Sequence, residues 1–173
     1  MYDYQENIRN VMALMEGKIE AGPTEEQMSK AHNAAGKRFQ ASVGPKAGHA
    51  MPGGWKASVP VTVKGKSGPG SIRIYVGIGT QHSPKKGYEV YWDVSTGMRD
   101  PKAQPYFNKF ADLLRKLEPT LRRYGKVKTT IQEREQLGIL MVDHMSKEQI
   151  EEYLKAMGGI ATKFGKMVKK ELY

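Results

Sequence analysis

Three successive segments alternate apolar and polar residues with a period of two, and this pattern constrains the fold more than any other feature. The segments are WKASVPVTVK (55–64), SIRIYVGIG (71–79) and GYEVYWDV (87–94). In the first of them, Val59, Val61 and Val63 share one face. Short turn-rich connections, GKSGPG and QHSPKKG, join the segments. The pattern therefore predicts an antiparallel β-meander, and Pro60, which has no N–H to donate, predicts that the first strand is an edge there.

Helical spacing before the meander predicts two helices. Residues 3–21 carry apolar side chains at helical spacing, and Gly22-Pro23 ends that pattern. A second helix should begin after Thr24 and run to about Ala41, because Thr24 and Gln27 have the spacing of a capping box. Residues 43–55 contain a dense set of glycines and prolines and predict a loop.

The second half of the chain predicts a helix, a hairpin and a final helix. Apolar residues from Phe107 to Leu117 predict a helix that is interrupted at Pro119 and ends near Gly125. The hairpin should follow, and its run from Ile139 to Val142, which has no polar face, predicts a strand covered on both sides. Ser146 and Gln149 form a second capping-box pattern, which opens the last helix.

These elements predict an α+β fold with the order ααβββαββα. We expect one domain over residues 1–173, with a helical N-terminal part (1–42), a Gly/Pro-rich loop (43–55) and a sheet with two helices (56–173). From residue 24 to 123 the order αβββα resembles the topology of double-stranded-RNA-binding domains. That family opens its second helix with a lysine cluster, whereas the corresponding stretch here, DPKAQPYFNKF, separates Lys102 from Lys109. The resemblance therefore implies a topology and assigns no residues.

The composition narrows the class of protein. The chain has no cysteine, which excludes disulfides, thiolate metal sites and cysteine nucleophiles. Its first twenty residues lack the pattern of a signal peptide, and no apolar run reaches the roughly 20 residues of a membrane span. We therefore expect a soluble, intracellular, cytoplasmic protein.

The positive charge is concentrated in one part of the chain. The net charge is +10, and no acidic residue occurs between Glu26 and Glu89. Such asymmetry favours a polyanionic partner, DNA or RNA. We predict a non-enzymatic nucleic-acid-binding protein. The residues expected to make the contacts are Lys37, Arg38, Lys46, Lys56, Lys64, Lys66, Arg73, Tyr75, Lys85 and Lys86.

The outward face of the meander adds aromatic rings to these cations. Tyr75 and Tyr91 should point away from the valines and isoleucines, beside the bare backbone of Gly77 and Gly79. Rings interleaved with basic side chains suit single-stranded nucleic acid, because bases stack on rings while phosphates pair with cations. The alternative is that the tyrosines only pack on the sheet and a helix covers them.

Two other functions stay open at this point. The basic segment could grip an acidic protein partner, as an inhibitor or assembly subunit does. A metal-dependent nuclease could use Glu89, Asp93 and Asp100 with Lys128, although the usual strand pattern of such enzymes is missing.

No motif assigns a catalytic residue, a metal site or a cofactor. The stretch VKGKSGPGS resembles the end of a phosphate-binding loop, but Pro60 stands where that loop needs a glycine and a strand follows instead of a helix. We therefore predict a hairpin turn at residues 65–70. The four histidines show no ligand spacing.

Overall fold

The computed structural model describes residues 5, 8, 9, 22–53, 55–66 and 68–173. Its helices are α1 (Glu25–Val43), α2 (Gln104–Lys116), α3 (Glu118–Leu121) and α4 (Lys147–Leu172). Its strands are β1 (Met51–Gly53), β2 (Lys56–Lys64), β3 (Ile72–Ser83), β4 (Gly87–Ser95), β5 (Lys126–Gln132) and β6 (Leu137–Met145). Short 3₁₀ turns precede α2 and follow α3.

The six strands form one antiparallel sheet in the order β1-β2-β3-β4-β6-β5. The described helices and one face of the sheet enclose a single core, to which the sheet contributes Val59, Val76, Trp92 and Leu140. The α+β class is therefore confirmed.

Local sequence signals placed most elements correctly. Both capping boxes are formed, at Thr24–Gln27 and Ser146–Gln149, and they open α1 and α4. The meander, the break before Pro119 and the final hairpin are present as predicted. The first predicted helix, 3–21, lies outside the described residues apart from Gln5, Ile8 and Arg9, which are helical.

The segment predicted as a loop, 43–55, contains a strand. Met51–Gly53 pairs with Ser58, Ala57 and Lys56, so β1, and not β2, forms this edge of the sheet. At Pro60 the pairing of β1 has already ended, and Gly48 donates its N–H to the Pro60 carbonyl at 2.8 Å. Pro60 therefore sits where only its carbonyl is needed, which is why it is tolerated.

The prediction that β6 is covered on both sides is wrong for the described residues. Leu140 and Val142 are buried in the core, whereas Ile139 and Met141 are half-buried on the opposite face of the sheet. β6 lies between β4 and β5. Its unbroken apolar run thus reflects an interior position in the sheet as much as a covered face.

Helix α4 is fixed to the sheet through Trp92. The Trp92 indole Nε1 donates to the Tyr153 hydroxyl at 2.7 Å, and the Trp92 ring meets Phe164 edge-on with centroids 5.9 Å apart. All three side chains are fully buried. Burial raises the pKa of Tyr153, so its hydroxyl stays protonated and accepts the indole N–H.

Helix α4 also packs closely against α1 at Gly165. A Cβ at this position would lie 2.6 Å from the Ser42 Cβ and 2.8 Å from the Phe39 carbonyl oxygen. Since one of these atoms belongs to the α1 backbone, a side chain could be accommodated only by moving the helices apart. Gly159 lies on the same helix with nothing within 4 Å of its Cβ position.

We predict that Gly165→Ala destabilises the protein by about 1–3 kcal/mol through overpacking. Gly159→Ala is the matched control and should stabilise by up to about 1 kcal/mol, because alanine is the better helix former. Urea unfolding followed by circular dichroism measures both. Equal effects of the two substitutions would contradict the close packing of α4 on α1.

A histidine of α1 is buried against β3. The His32 Nε2 atom lies 2.9 Å from the Thr80 hydroxyl, which itself lies 3.2 Å from the Met28 sulfur. The His32 Nδ1 atom has no hydrogen-bond partner among the described residues, and burial lowers the pKa of His32 from 6.5 to about 4. The folded protein therefore holds this imidazole in its neutral form at physiological pH.

The His32 environment predicts a loss of stability in mild acid. The unfolded chain takes up a proton on this histidine near pH 6.5 and the folded chain only near pH 4. The contribution of neutral His32 to the free energy of unfolding is therefore full above pH 6.5 and falls below it. Between pH 7.5 and 5 the loss should be about 2 kcal/mol. Urea unfolding at both pH values should give a smaller loss for His32→Gln and an unchanged loss for His49→Gln. The same pH dependence in wild type and His32→Gln would overturn this prediction.

Candidate nucleic-acid interface

The ten residues predicted to contact nucleic acid do not share one surface. Antiparallel strands return their turns to alternate ends of the sheet, and nine-residue strands separate those ends by about 27 Å. Lys46, Lys64, Lys66, Arg73 and Tyr75 lie toward the end with the β2–β3 turn. Lys56, Lys85 and Lys86 lie at the opposite end, and Lys37 and Arg38 are exposed on α1.

Two of the three cations at the opposite end form ion pairs with carboxylates. The Lys56 Nζ lies 2.6 Å from the Asp93 Oδ2, and the Lys86 Nζ lies 3.8 Å from the Glu89 Oε1. The carboxylates of Asp93 and Glu89 are buried. Only Lys85 of this group has no described ion pair, so this end offers little free positive charge.

Glycines on the face of the sheet opposite the core make room for side chains that lie flat on it. A Cβ on Gly77 would collide with the Lys56–Asp93 pair, and a Cβ on Gly79 would collide with the Tyr91 ring. Burial, with a smaller effect of the Asp93 charge, raises the pKa of the Tyr91 hydroxyl. Among the described residues, an ion pair and a tyrosine therefore fill the centre of this face, and neither supplies free positive charge.

The end of α4 is anchored beside the β2–β3 turn. The Tyr173 hydroxyl donates to the Thr62 carbonyl at 2.6 Å, and the Lys46 Nζ stands 5.9 Å from the centroid of the Tyr173 ring. The Thr62 N–H donates to the Lys46 carbonyl at 2.8 Å. Residues from the loop after α1, from β2 and from the C-terminal end of α4 thus meet at one corner.

This corner adds lysines of α4 that the sequence analysis did not assign to a site. Lys166 and Lys169 line a groove of about 430 Å³ between α1 and α4, together with Arg38 and Ser42. We call the basic edge the set of residues Arg38, Lys46, Lys64, Lys66, Lys166 and Lys169. None of them forms an ion pair with a carboxylate in the part of the chain that the structure describes.

Helix electrostatics explain only part of the lysine content of α4. Cations in the last turn interact favourably with the helix dipole, which accounts for Lys169 and Lys170. Lys163 and Lys166 lie before that turn, and Lys166 is four residues from Lys170, a spacing at which like charges repel. The helix therefore carries more positive charge at this end than its own stability calls for.

A cleft of about 290 Å³ opens next to the basic edge. It lies between the β2–β3 turn and the loop from β4 to α2, and Arg73, Tyr75, Met98 and Asp100 are among its lining residues. The Arg73 side chain is held in place, since its Nε donates to the Ser71 hydroxyl at 3.0 Å and its Nη2 to the Gly68 carbonyl at 3.2 Å.

Gln136 holds the loop that forms the far wall of this cleft. Its Oε1 accepts from the Thr96 hydroxyl at 2.6 Å, and its Nε2 donates to the Asp100 carbonyl at 2.8 Å and to the Gln104 Oε1 at 3.1 Å. Gln136 is buried and has a positive φ of 51°. No local pattern indicates this role, because a glutamine in a hairpin turn normally faces solvent.

Each of the carboxylates considered for a nuclease contacts a different partner. Asp93 pairs with Lys56, Glu89 accepts from Gln81, and Asp100 accepts the Lys102 N–H at 2.9 Å. Among the described residues no three His, Cys, Asp or Glu side chains are grouped so that they could hold a metal ion. The nuclease hypothesis thus gains no support from this geometry.

No family model, curated protein or solved structure matches this chain. Within the described ranges, no helix is both long and apolar enough to cross a bilayer. The basic edge and the adjoining cleft are therefore the described features that bear on function.

Proposed function

We propose that this chain is a nucleic-acid-binding protein that contacts backbone phosphates through the basic edge. The observation that carries the proposal is the convergence of cations from three distant segments, α1, residues 46–66 and the end of α4. Among the described residues, no carboxylate forms an ion pair with the cations of the basic edge. Phosphate contacts supply most of the affinity in non-specific nucleic-acid binding. No catalytic activity is part of the proposal.

A phosphate backbone fits this surface better than a lipid surface does. Membrane-surface helices combine basic residues with large exposed apolar side chains that enter the acyl region. In the described part of the chain the exposed large apolar residues are Ile8, Met51, Met98 and Tyr173. Of these only Tyr173 adjoins the basic edge, and it is held by Thr62 and Lys46.

The test compares two triple charge reversals in fluorescence anisotropy with labelled single- and double-stranded DNA and RNA. Lys64→Glu/Lys66→Glu/Lys169→Glu changes the basic edge. The control, Lys109→Glu/Lys126→Glu/Lys128→Glu, makes the same change in net charge at exposed lysines elsewhere. We expect the first variant to bind at least about tenfold more weakly and to lower the salt slope by about 2–3, since each phosphate contact contributes about 0.7–0.9.

Two results would contradict the proposal. Equal weakening by the two triple variants would mean that only net charge matters and that the basic edge is not the contact. An absence of binding to every probe at physiological salt would leave the acidic protein partner as the better explanation, to be tested by whether the first triple variant alone loses that partner.

A further inference from the structure

We infer that the cleft between the β2–β3 turn and the β4–α2 loop accepts an unstacked nucleobase, so that the nucleic acid on the basic edge is single-stranded at that point. This inference rests on the proposed function and names its substrate class. The cleft adjoins the basic edge directly, because Lys64 pairs in register with Ile72, a residue of the cleft lining. A phosphate held at Lys64 therefore lies beside the cleft.

One wall of the cleft is an aromatic ring on a rigid strand. Tyr75 lies in β3, paired on both sides with Pro60 and Ser95, and is half-buried. Its Cε2 is 3.4 Å from the position that a Cβ on Gly97 would take, so the ring rests against the loop backbone there. A ring supported in this way offers a stacking partner to any of the bases.

The cleft also holds a donor and an acceptor. The Arg73 Nε and Nη2 donate hydrogen bonds to Ser71 and Gly68, and the Nη1 has no described hydrogen-bond partner. The Asp100 Oδ1 accepts the Lys102 N–H, and its Oδ2 has no described partner. Base edges present both donors and acceptors, so the two groups are suited to an unpaired base.

The walls are fixed before any ligand arrives. The hydrogen bonds of Gln136 to Thr96 and Asp100 hold one wall, and the hydrogen bonds of Arg73 hold the other. Met98 is 82 % exposed beside this cleft, where its flexible thioether can pack against a ring. Preorganised walls lower the entropic cost of binding.

A base can enter such a cleft only when it is unpaired. In a duplex the faces of the bases are stacked on their neighbours and their Watson–Crick edges are paired, whereas unpaired bases in single strands or loops expose both. A cleft of about 290 Å³ is near the lower limit of ligand clefts, about 300 Å³, and so suits one small ring system. Single-stranded nucleic acid therefore gains a contact that a duplex cannot make.

The experiment measures anisotropy with a labelled single-stranded RNA and with the fully paired duplex of the same sequence. Tyr75→Leu removes the ring, Tyr75→Phe keeps it, and Tyr91→Leu makes the same change on the same sheet face outside the cleft. We expect Tyr75→Leu to bind the single strand roughly tenfold or more weakly and the duplex unchanged, with Tyr75→Phe and Tyr91→Leu close to wild type. Thermal melts show that each variant is folded.

Three results would overturn the inference. These are an unchanged affinity of Tyr75→Leu for the single strand, an equal loss for single strand and duplex, or an equal loss for Tyr75→Leu and Tyr91→Leu. The charge-reversal variants separate this inference from the proposed function. If they weaken binding while Tyr75→Leu does not, the basic edge binds phosphates and the cleft is not a base site.

Discussion

The seating of α4 on the rest of the molecule is the constraint on which the proposed interface depends. The helix is fixed to the sheet where Tyr153 meets Trp92, to α1 where Gly165 allows close approach, and to β2 where Tyr173 meets Thr62. These contacts are spread along its length, so they fix its rotation as well as its position. Buried apolar residues define the inner face of α4, and Lys166 and Lys169 are thereby left beside α1.

Local chemistry made most of the fold predictable. Capping boxes and period-two alternation depend on residues a few positions apart, so the start of α1 and the strands of the meander could be located from the sequence. The strand Met51–Gly53 could not, because its glycine and proline content is that of a loop and only pairing with β2 makes it a strand. The position of β6 between β4 and β5, and the packing of α4 on α1, likewise depend on long-range contacts that no local pattern reports.

The site was less predictable because a count of charges along the sequence does not show which charges lie together in the fold. The acid-free window drew attention to Lys56 and Lys86, whose partners Asp93 and Glu89 come after the window in sequence but lie beside them in the sheet. The same count hid the lysines of α4, since Glu148, Glu151 and Glu152 in the first half of that helix partly offset its six lysines. Those glutamates are separated from Lys166 and Lys169 by several helical turns. A count over one face of the predicted helix would have found this group.

The distribution of carboxylates favours one end of the sheet for a polyanion. Asp93 is neutralised by Lys56, and Glu89 lies six residues along β4 from Ser95, the partner of Tyr75. Six residues of strand span about 20 Å. A phosphate at Lys64 or Lys66 therefore lies far from the Glu89 carboxylate and close to cations that have no described ion pair. A nucleic-acid strand that continued across the sheet toward Glu89 would lose that advantage. Phosphate binding should therefore follow the basic edge and extend onto the face opposite the core only as far as the cleft beside Tyr75.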